Sequence, residues 1–407
     1  MIALSHPTGN ENVRQAMRAI QDAGLLHSFH TTLGFSAEAK PESWPIPEKL
    51  RQLLSKRKYP VSKSQLHTTP YREIVRSLLI NHKDNPLVRH ERGPCSVDGV
   101  YQALDLKLAK YLRRHHHELK AVYGYEDGCA THFGTAKALG LTTIYELPIA
   151  YGPYAQAMLR EEAERSPDWE PTLISTRDSE AKMQRKQYEL ETADVIITPS
   201  AFVEQSIPDE LRRGKQLLRM PYGIDSPDGI DAEKLGGTQP LRFLYAGALS
   251  QRKGLADLFE AWKLASLTEA ELHVLGSPLM PMTFYQKRCP EATFHGPRPR
   301  AQVLEMMDRC DVLVLPSLIE GRALVQLEAI GRGLPLIITP NTGGDDLIVE
   351  GETGFITPVR DPQSLAARLN WFYENRAKLP EMRKACLEKA RQTSWVNYRT
   401  QLADALK

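Results

Sequence analysis

Short apolar runs alternate with longer stretches of helical pattern along most of the chain. Each run is rich in β-branched or other apolar residues, and a polar loop and an amphipathic segment follow it. Because strands that alternate with helices pair in parallel, this rhythm predicts an α/β fold built on parallel sheets. The runs predicted as strands are IAL near the start, AVYGY (121–125), TTIYEL (142–147), DVIITP (194–199), LRFLYAG (241–247), ELHVLG (271–276), DVLVLP (311–316) and PLIITP (335–340).

The rhythm breaks once, at residues 220–240. The sequence there, MPYGIDSPDGIDAEKLGGTQP, is rich in Gly, Pro and Asp, as linkers are, and the strand pattern starts afresh after it. We therefore expect two α/β domains, at residues 1–222 and 223–380. Residues 381–407 have a helical pattern with Trp395 and Tyr398 on one side. That helix either packs back across the domain junction or belongs plainly to the second domain.

Length and composition agree with a two-domain globular protein. The chain has 407 residues, of which 42% are hydrophobic and 25% charged, and no apolar run reaches the roughly 18 residues that suggest a membrane span. The first residues, MIALSHPTGN, lack the basic and apolar segments of a secretion signal. The five cysteines are odd in number and scattered, which argues against a disulfide framework and a paired-cysteine zinc site. We expect a cytoplasmic location.

The charge is nearly balanced overall but uneven along the chain. A formal net charge of +2 argues against a strongly basic nucleic-acid-binding protein, so no nucleic-acid partner is expected. Residues 49–76, however, contain eight basic residues and only one acidic residue. This segment either contacts the anionic inner face of a membrane peripherally or is a solvated helix and loop, which is the simpler interpretation.

Ligands of doubly wound sheets bind beyond the carboxyl ends of the strands, so the loops after the strands are the first candidates for chemistry. The loop after LRFLYAG places Arg252 and Lys253 directly before Gly254 and a predicted helix. Two cations at a helix N-terminus would attract a diphosphate, although a solvated turn has the same sequence pattern. Gly276, at the end of ELHVLG, and Gly296, in the segment ATFHGPRPR, are points of close backbone approach to a ligand or ordinary turns.

The loop after DVLVLP carries a second candidate group. Glu320 and Gly321 precede a helical pattern that contains Glu328. The free amides of the first helical turn would face the cleft, and the Glu320 carboxylate can accept hydrogen bonds from hydroxyl groups. Glutamate is common, so this spacing by itself is weak evidence.

The order of the short motifs around Glu320 and Glu328 makes their spacing informative. Pro-Ser-x-x-Glu-Gly, six residues, Glu-Ala, then Gly-x-Pro and later GGDDLIVEGETGFITP closely resemble the C-terminal domain of the family 4 glycosyltransferases. The resemblance runs from Phe243 to Pro358 and more loosely through TADVIITPSAFV and PYGID, whereas the part before Leu190 is much less similar. It implies the GT-B fold, in which two Rossmann-like domains with parallel sheets face each other across a cleft.

The resemblance also implies roles for individual residues. Glu320 corresponds to the family glutamate that contacts donor-sugar hydroxyls, and Glu328 to the one that holds the ribose. Arg252 and Lys253 correspond to the cations on the donor diphosphate. The other residues expected to bind the donor are Gly9, in the loop after the first strand, with Gly247, Gly296, Gly321, Arg322, Ala323 and Leu324.

Two positions depart from the family pattern. Many relatives have Arg directly after the glycine that ends the first strand of the second domain, where this chain has Ala248. Many also have a histidine near the reacting centre, at the end of the strand that corresponds to TTIYEL, where this chain has Glu146. We keep Glu146 as a candidate catalytic residue that would hydrogen-bond the sugar.

Three further features have structural interpretations of equal or greater weight. Glu126 and Asp127 form an acidic pair on the expected site side, or cap the next helix. His6, at the end of the first strand, is either a functional residue or a buried residue with a structural role. The run RRHHH (113–117) is interpreted as a surface helix end, because consecutive histidines on a helix diverge; no metal site is expected.

Together these features predict a glycosyltransferase that moves a hexosyl group from a nucleotide diphosphate sugar to a hydroxyl group of a glycan or a lipid-linked saccharide. Retention of the anomeric configuration is implied by the family alone. No cofactor and no metal are expected; the nucleotide sugar is the donor substrate. The alternatives are a GT-B sugar phosphorylase, a nucleotide-sugar epimerase and a non-catalytic scaffold of glycan assembly.

Overall fold

The computed structural model describes residues 1–40, 54, 56–79, 82, 84–225, 229–230 and 240–407, and these form two parallel sheets of seven and six strands. The first sheet has the order β3-β2-β1-β4-β5-β6-β7 and the second β10-β9-β8-β11-β12-β13. The strands are β1 Ile2–Ser5, β2 Leu26–Thr31, β3 Leu66–Thr68, β4 Ala121–Tyr125, β5 Thr142–Glu146, β6 Val195–Thr198, β7 Gln216–Arg219, β8 Leu241–Ala246, β9 Ala270–Leu275, β10 Thr293–Gly296, β11 Val312–Leu315, β12 Leu336–Ile338 and β13 Gly354–Ile356.

Helices connect successive strands and cover the sheets. In chain order they are α1 Glu11–Asp22, α2 Pro70–Leu78, α3 Val97–His115, α4 Ala130–Ala138, α5 Gly152–Arg165, α6 Glu180–Thr192, α7 Ala201–Ser206, α8 Asp209–Arg212, α9 Leu255–Ala265, α10 Met282–Arg288, α11 Arg300–Arg309, α12 Leu324–Gly331, α13 Pro362–Glu374, α14 Leu379–Gln392 and α15 Trp395–Ala405.

All eight strands predicted from the apolar runs are present. The predicted α/β class with two Rossmann-like sheets is therefore confirmed. Five further strands were not among those predicted. They are short or carry polar residues: β2 is LHSFHT, and β3 has three residues that are all half-buried.

Central strands are buried on both faces. Every residue of β1 and of β11 is buried, as expected when helices cover a parallel sheet on both sides. Burial of one such Leu or Val side chain contributes about 1.5–3 kcal/mol, so these strands anchor the two cores.

The order of the strands fixes where loops meet. In each sheet the chain first builds outward in one direction and then crosses back, so that β1 lies beside β4 and β8 beside β11. A crevice forms beyond the carboxyl ends of the strands at such a switch point. The loops that follow β8 and β11 are thereby brought together.

The last helix packs against the first half of the chain. Tyr398 and Leu402 of α15 are buried, and Arg399 Nη1 donates a hydrogen bond to Gln15 Oε1 of α1 at 2.7 Å. Most of the predicted linker, at 226–228 and 231–239, lies outside the described residues. The domain limits at 222 and 380 therefore stay predictions.

Among the described residues, no helix combines the length and the apolar character needed to cross a bilayer.

Candidate functional site

The turn that follows β8 brings Arg252 and Lys253 to the switch point of the second sheet. It is a 3₁₀ turn, Gln251–Lys253, and it ends at Gly254, which has φ +71°. A Cβ at Gly254 would lie 1.9 Å from the carbonyl oxygen of Pro316, at the end of β11. Glycine is needed here for both reasons, because it accepts the left-handed backbone and lets the turn lie directly against the next loop.

Arg252 and Lys253 converge on Glu320, which lies 67 residues further along the chain. Lys253 Nζ lies 2.5 Å from Glu320 Oε1, and Arg252 Nη1 lies 3.0 Å from the same oxygen. Arg252 Nη1 also donates to the carbonyl of Ile319 at 2.7 Å. Two cations against one carboxylate leave an excess of positive charge at the mouth of the crevice.

These charges are held in a largely buried setting. Burial by itself raises the pKa of Glu320, but the ammonium of Lys253 and the guanidinium of Arg252 together bring that pKa below its usual value. Glu320 is therefore ionised at neutral pH and can accept hydrogen bonds.

Glycines make room for the lysine. A Cβ at Gly247 would lie 2.7 Å from Cδ of Lys253, so the lysine stem passes directly over this residue. A Cβ at Gly276 would lie 1.7 Å from the Gly247 carbonyl oxygen, which accounts for the second glycine. Gly296 has φ +65° with open space around it, and its carbonyl accepts a hydrogen bond from the Gly276 amide at 3.1 Å.

The turn before α12 supplies fewer free amides than the sequence analysis expected. The Ala323 amide donates to the carbonyl of Thr342 at 3.2 Å, because the loop after β12 covers it; the expectation that it is offered to a ligand needs this correction. In the part of the chain that the structure describes, the amides of Gly321, Arg322 and Leu324 meet no acceptor. They remain candidates for a bound anion.

The side chain of Arg322 holds the turn in place. It is buried, and its guanidinium donates to both carboxylate oxygens of Asp346, at 2.5 and 3.0 Å, and to the carbonyls of Gly343 and Tyr222. Only its backbone is thus available at the crevice.

Glu328 lies on the other side of the turn, in a cavity of about 440 Å³. Leu304, Leu324 and Leu327 provide apolar wall, and Glu11 and Trp395 also line the cavity. Arg300, whose side chain is exposed, also lines the cavity, and its Nε lies 2.5 Å from Glu328 Oε1. The cavity thus combines an apolar surface with the carboxylates of Glu328, Glu11 and Asp225.

On the first sheet, the loop after β1 is shaped by His6 and Gly9. His6 Nδ1 accepts hydrogen bonds from the amides of Thr8 at 3.1 Å and Gly9 at 2.8 Å. Burial lowers the pKa of His6 to about 3, with a smaller contribution from Arg57, so the ring is neutral and able to accept these bonds. Gly9 has φ +57°, and a Cβ there would lie 2.4 Å from the ring of Tyr59.

Glu146 is not brought together with Glu320. It is fully buried at the end of β5, where its carboxylate accepts hydrogen bonds from Tyr123 Oη at 2.5 Å and Tyr222 Oη at 2.8 Å. Burial raises its pKa, against the effect of the tyrosine hydroxyls. In this conformation Glu146 has no surface for a substrate, and its catalytic role stays a prediction.

The capping interpretation of Asp127 is wrong. Its carboxylate pairs with Lys182 and Arg185, and its φ is +73°. The start of α4 is capped instead by two distant carboxylates. Glu189 accepts hydrogen bonds from the amides of Cys129 and Ala130, and Asp105 accepts from those of Thr131 and His132. Distant carboxylates replaced the local one because α3 and α6 pack beside α4.

Contacts between the two halves at the crevice were not predicted. Ser200 Oγ donates to the carbonyl of Gly321 at 2.7 Å, and a Cβ at Gly321 would lie 1.6 Å from the carbonyl oxygen of Pro148. Glycine at 321 therefore allows the loops of both sheets to touch. No local sequence signal identifies Ser200 or Pro148, since both act through tertiary contacts.

Residues 230–393 match the protein-family model described as glycosyl transferases group 1. Among curated relatives, the glycogen synthase of Mycobacterium tuberculosis is 26% identical over 272 residues, which are 65% of this chain and 63% of that protein. The chain thus matches less than two thirds of the length of this relative.

Solved structures share the whole fold at low identity. Sucrose-phosphate synthase from Thermosynechococcus elongatus is 16% identical with a TM-score of 0.63, and covers 100% of this chain and 98% of its own. HepE of Anabaena in complex with UDP-glucose is 15% identical with a TM-score of 0.60, with the same coverage of 100% and 98%. The overall architecture is the GT-B fold.

Proposed function

We propose, from the match of residues 230–393 to the family model described as glycosyl transferases group 1, that the protein is a glycosyltransferase of the family 4 type. It transfers a hexosyl group from a nucleotide diphosphate sugar to a hydroxyl group of a glycan or a lipid-linked saccharide. The observation that carries the proposal is the convergence of Arg252 and Lys253 on Glu320 at the switch point of the second sheet.

The diphosphate would bind at the two cations. A donor diphosphate carries negative charge at the oxygen that leaves, and that charge increases as the glycosidic bond breaks. Arg252 Nη1, Lys253 Nζ and the free amides at the start of α12 provide fixed positive charge and dipoles for it. These groups are already in position, so little reorganisation is needed during the reaction.

The nucleoside would bind in the cavity beside α12. The apolar wall of Leu304, Leu324 and Leu327 suits a flat base, and the Glu328 carboxylate suits the ribose hydroxyls once Arg300 moves aside. HepE, which shares this fold, was solved with UDP-glucose, which makes a UDP-linked hexose the first donor to test.

The reaction we propose retains the anomeric configuration. The bond between the anomeric carbon and the diphosphate oxygen breaks, the acceptor oxygen bonds to that carbon, and the acceptor proton passes to the released diphosphate. Glu320 would accept hydrogen bonds from donor-sugar hydroxyls and so orient the sugar. Contacts such as Ser200 to Gly321 would close the two halves over the substrates and exclude water.

The test is a panel of UDP-, GDP- and ADP-linked sugars incubated with the purified protein, with release of nucleoside diphosphate followed over time. We expect slow hydrolysis of one donor and faster release when an acceptor is added. Product analysis then separates transfer from epimerisation, which needs no acceptor, and from phosphorolysis, which consumes free phosphate. If no donor is turned over and none raises the melting temperature, the proposal fails.

We also propose a peripheral contact with an anionic membrane, through helix α2. Tyr71, Ile74 and Leu78 are 83%, 44% and 76% exposed and share one face of this helix. Two basic residues nearby are already engaged, since Arg57 and Arg76 both contact the buried carboxylate of Glu73. The apolar face therefore supports the contact better than charge does; Lys49 and Arg51 lie outside the described residues.

Sedimentation with vesicles tests this contact. We expect the protein to sediment with vesicles of anionic lipid and the double variant Tyr71→Ser/Leu78→Ser to remain in the supernatant. Val396, which is also exposed but lies on α15, gives the control variant Val396→Ser, which should sediment like the wild type. Equal sedimentation of the wild type and the double variant would contradict the proposal.

A further inference from the structure

A group of histidines lies at the far end of the first sheet from the candidate site. His27 is the second residue of β2, at the amino end of that strand, whereas the candidate site lies beyond the carboxyl ends. Helix α3 ends beside it and places His115, followed by Glu118, against the same edge. The proposed transferase chemistry uses none of these side chains.

The three side chains present ligand atoms toward one point. His115 Nδ1 lies 3.0 Å from Glu118 Oε1, and His27 Nε2 lies 3.9 Å from Glu118 Oε2. One nitrogen from each imidazole and a carboxylate oxygen all lie within 4.8 Å of one another. Ligand atoms around a tetrahedral zinc ion, with metal–nitrogen distances of about 2.0–2.1 Å, are about 3.4 Å apart, so small side-chain movements suffice.

We propose that His27, His115 and Glu118 bind one divalent transition-metal ion of the zinc type. Two imidazoles and one carboxylate favour zinc, nickel or copper over magnesium or calcium, which prefer oxygen ligands. Three protein ligands leave a fourth position, which water would occupy. The Tyr111 hydroxyl lies 3.0 Å from His27 Nε2.

The surroundings hold the imidazoles in place. The ring of His115 stacks on that of Tyr111 with centroids 4.2 Å apart, and His67 packs on Tyr111 with centroids 4.7 Å apart. Burial lowers the pKa of His27, an effect that the carboxylate of Glu118 opposes and that His115 and the N-terminal amine increase.

This inference revises the interpretation of the run RRHHH. The expected divergence of its histidines holds for His116, which is exposed, whereas Nε2 of the exposed His117 lies 3.5 Å from the Glu118 oxygen that His115 contacts. The partner of His115 comes instead from β2, which the apolar pattern did not identify as a strand. The ion would join the end of α3 to the edge of the sheet, and its role would be to stabilise the fold.

A second group with similar composition is a poorer candidate. His90 Nε2 lies 3.4 Å from Glu91 Oε1 and 3.2 Å from Asp178 Oδ1. The ammonium of Lys182 lies 3.4 Å from that same Asp178 oxygen, so this carboxylate already forms an ion pair with a lysine. A metal ion there would face like-charge repulsion.

Calorimetric titration of the tag-free, chelator-treated full chain with Zn²⁺ tests the proposal. We expect one ion per chain, a higher melting temperature with Zn²⁺ but not with Mg²⁺, and a visible d–d absorption band when Co²⁺ replaces Zn²⁺. His27→Gln and His115→Gln should each weaken Zn²⁺ binding at least tenfold. His116→Gln, in the same histidine run, is the matched control and should bind like the wild type.

Other outcomes would overturn the proposal. One is wild-type affinity in both His27→Gln and His115→Gln; another is loss of binding in His90→Gln instead. If a histidine variant misfolds, as circular dichroism would show, the exposed Glu118→Gln variant decides: unchanged affinity there also contradicts the site. Because the readout is metal binding, failure here leaves the proposed transferase activity untouched.

Discussion

Arg252 and Lys253 both contact the same oxygen of Glu320, so a change in one of the three charged groups affects the other two. The carboxylate neutralises part of the positive charge that would attract a diphosphate. It also keeps both cations oriented toward the crevice. Removing the cation and removing the carboxylate should therefore have opposite effects on binding of the diphosphate. This difference separates the two proposed roles.

We predict that Lys253→Met weakens binding of the nucleoside diphosphate about tenfold to a hundredfold, because a hydrogen bond to a charged group contributes about 1.5–3 kcal/mol. Methionine keeps the stem that covers Gly247. Glu320→Gln should bind the nucleoside diphosphate as tightly as the wild type or more tightly, while donor turnover falls about a hundredfold or more.

Titration calorimetry and steady-state kinetics on both variants measure these effects, and the melting temperature checks the fold. The assignment of roles is wrong if Glu320→Gln turns over at the wild-type rate. It is also wrong if Lys253→Met binds the nucleoside diphosphate with unchanged affinity.

At the scale of elements, the start of α9 depends on a backbone that only glycine adopts easily. Gly254 joins the cation turn to the helix with φ +71° and lies against Pro316. Gly140, after α4, has nearly the same φ of +72°, but no atom lies within 4 Å of the Cβ it would carry. An alanine at Gly140 would therefore meet only backbone strain, whereas an alanine at Gly254 would meet both backbone strain and a steric clash.

We predict that Gly140→Ala lowers the free energy of unfolding by about 1 kcal/mol, the strain of a left-handed alanine. Gly254→Ala should lower it by at least about 2 kcal/mol more, because Cβ would meet the Pro316 carbonyl and push the two loops apart. Urea denaturation measures both values. Equal losses in the two variants would show that the contact with Pro316 is not tight.

At the scale of the whole molecule, helix α5 ties the first half of the chain to the second. Glu162 has no exposed surface, and its carboxylate accepts hydrogen bonds from Gln251 Nε2 at 2.8 Å and Arg360 Nε at 2.7 Å. Arg165 of the same helix pairs with Asp257 at 2.9 Å. Since Gln251 directly precedes the two cations, this junction also supports the candidate site.

We predict that Glu162→Ala lowers the free energy of unfolding by about 3 kcal/mol, because the half-buried Arg360 guanidinium loses its buried carboxylate partner. Donor hydrolysis should fall as well, since Gln251 no longer fixes the turn. Glu161, also near Arg360 but 68% exposed, supplies the control: Glu161→Ala should stay within about 0.5 kcal/mol of the wild type. Urea denaturation and the donor assay measure both variants; similar losses in the two would refute the role of the junction.

The sequence by itself determined the alternation of strands and helices, the division into two sheets, and the loops that carry the chemistry. These features are local: a strand is recognised by its own apolar run, and Arg252, Lys253 and Glu320 each follow directly after one. The order of motifs around Glu320 also predicted the similarity to glycosyltransferases that the family model over residues 230–393 bears out.

Only the tertiary structure decided which side chains meet. The order of β8 and β11 placed Lys253 against Glu320, α6 replaced Asp127 by Glu189 at the start of α4, and the edge strand β2 brought His27 to His115. It also buried Glu146 and covered the Ala323 amide. The physical reason is that periodicity is set by neighbours in the chain, whereas partners are set by strand order and packing, which join residues far apart in sequence.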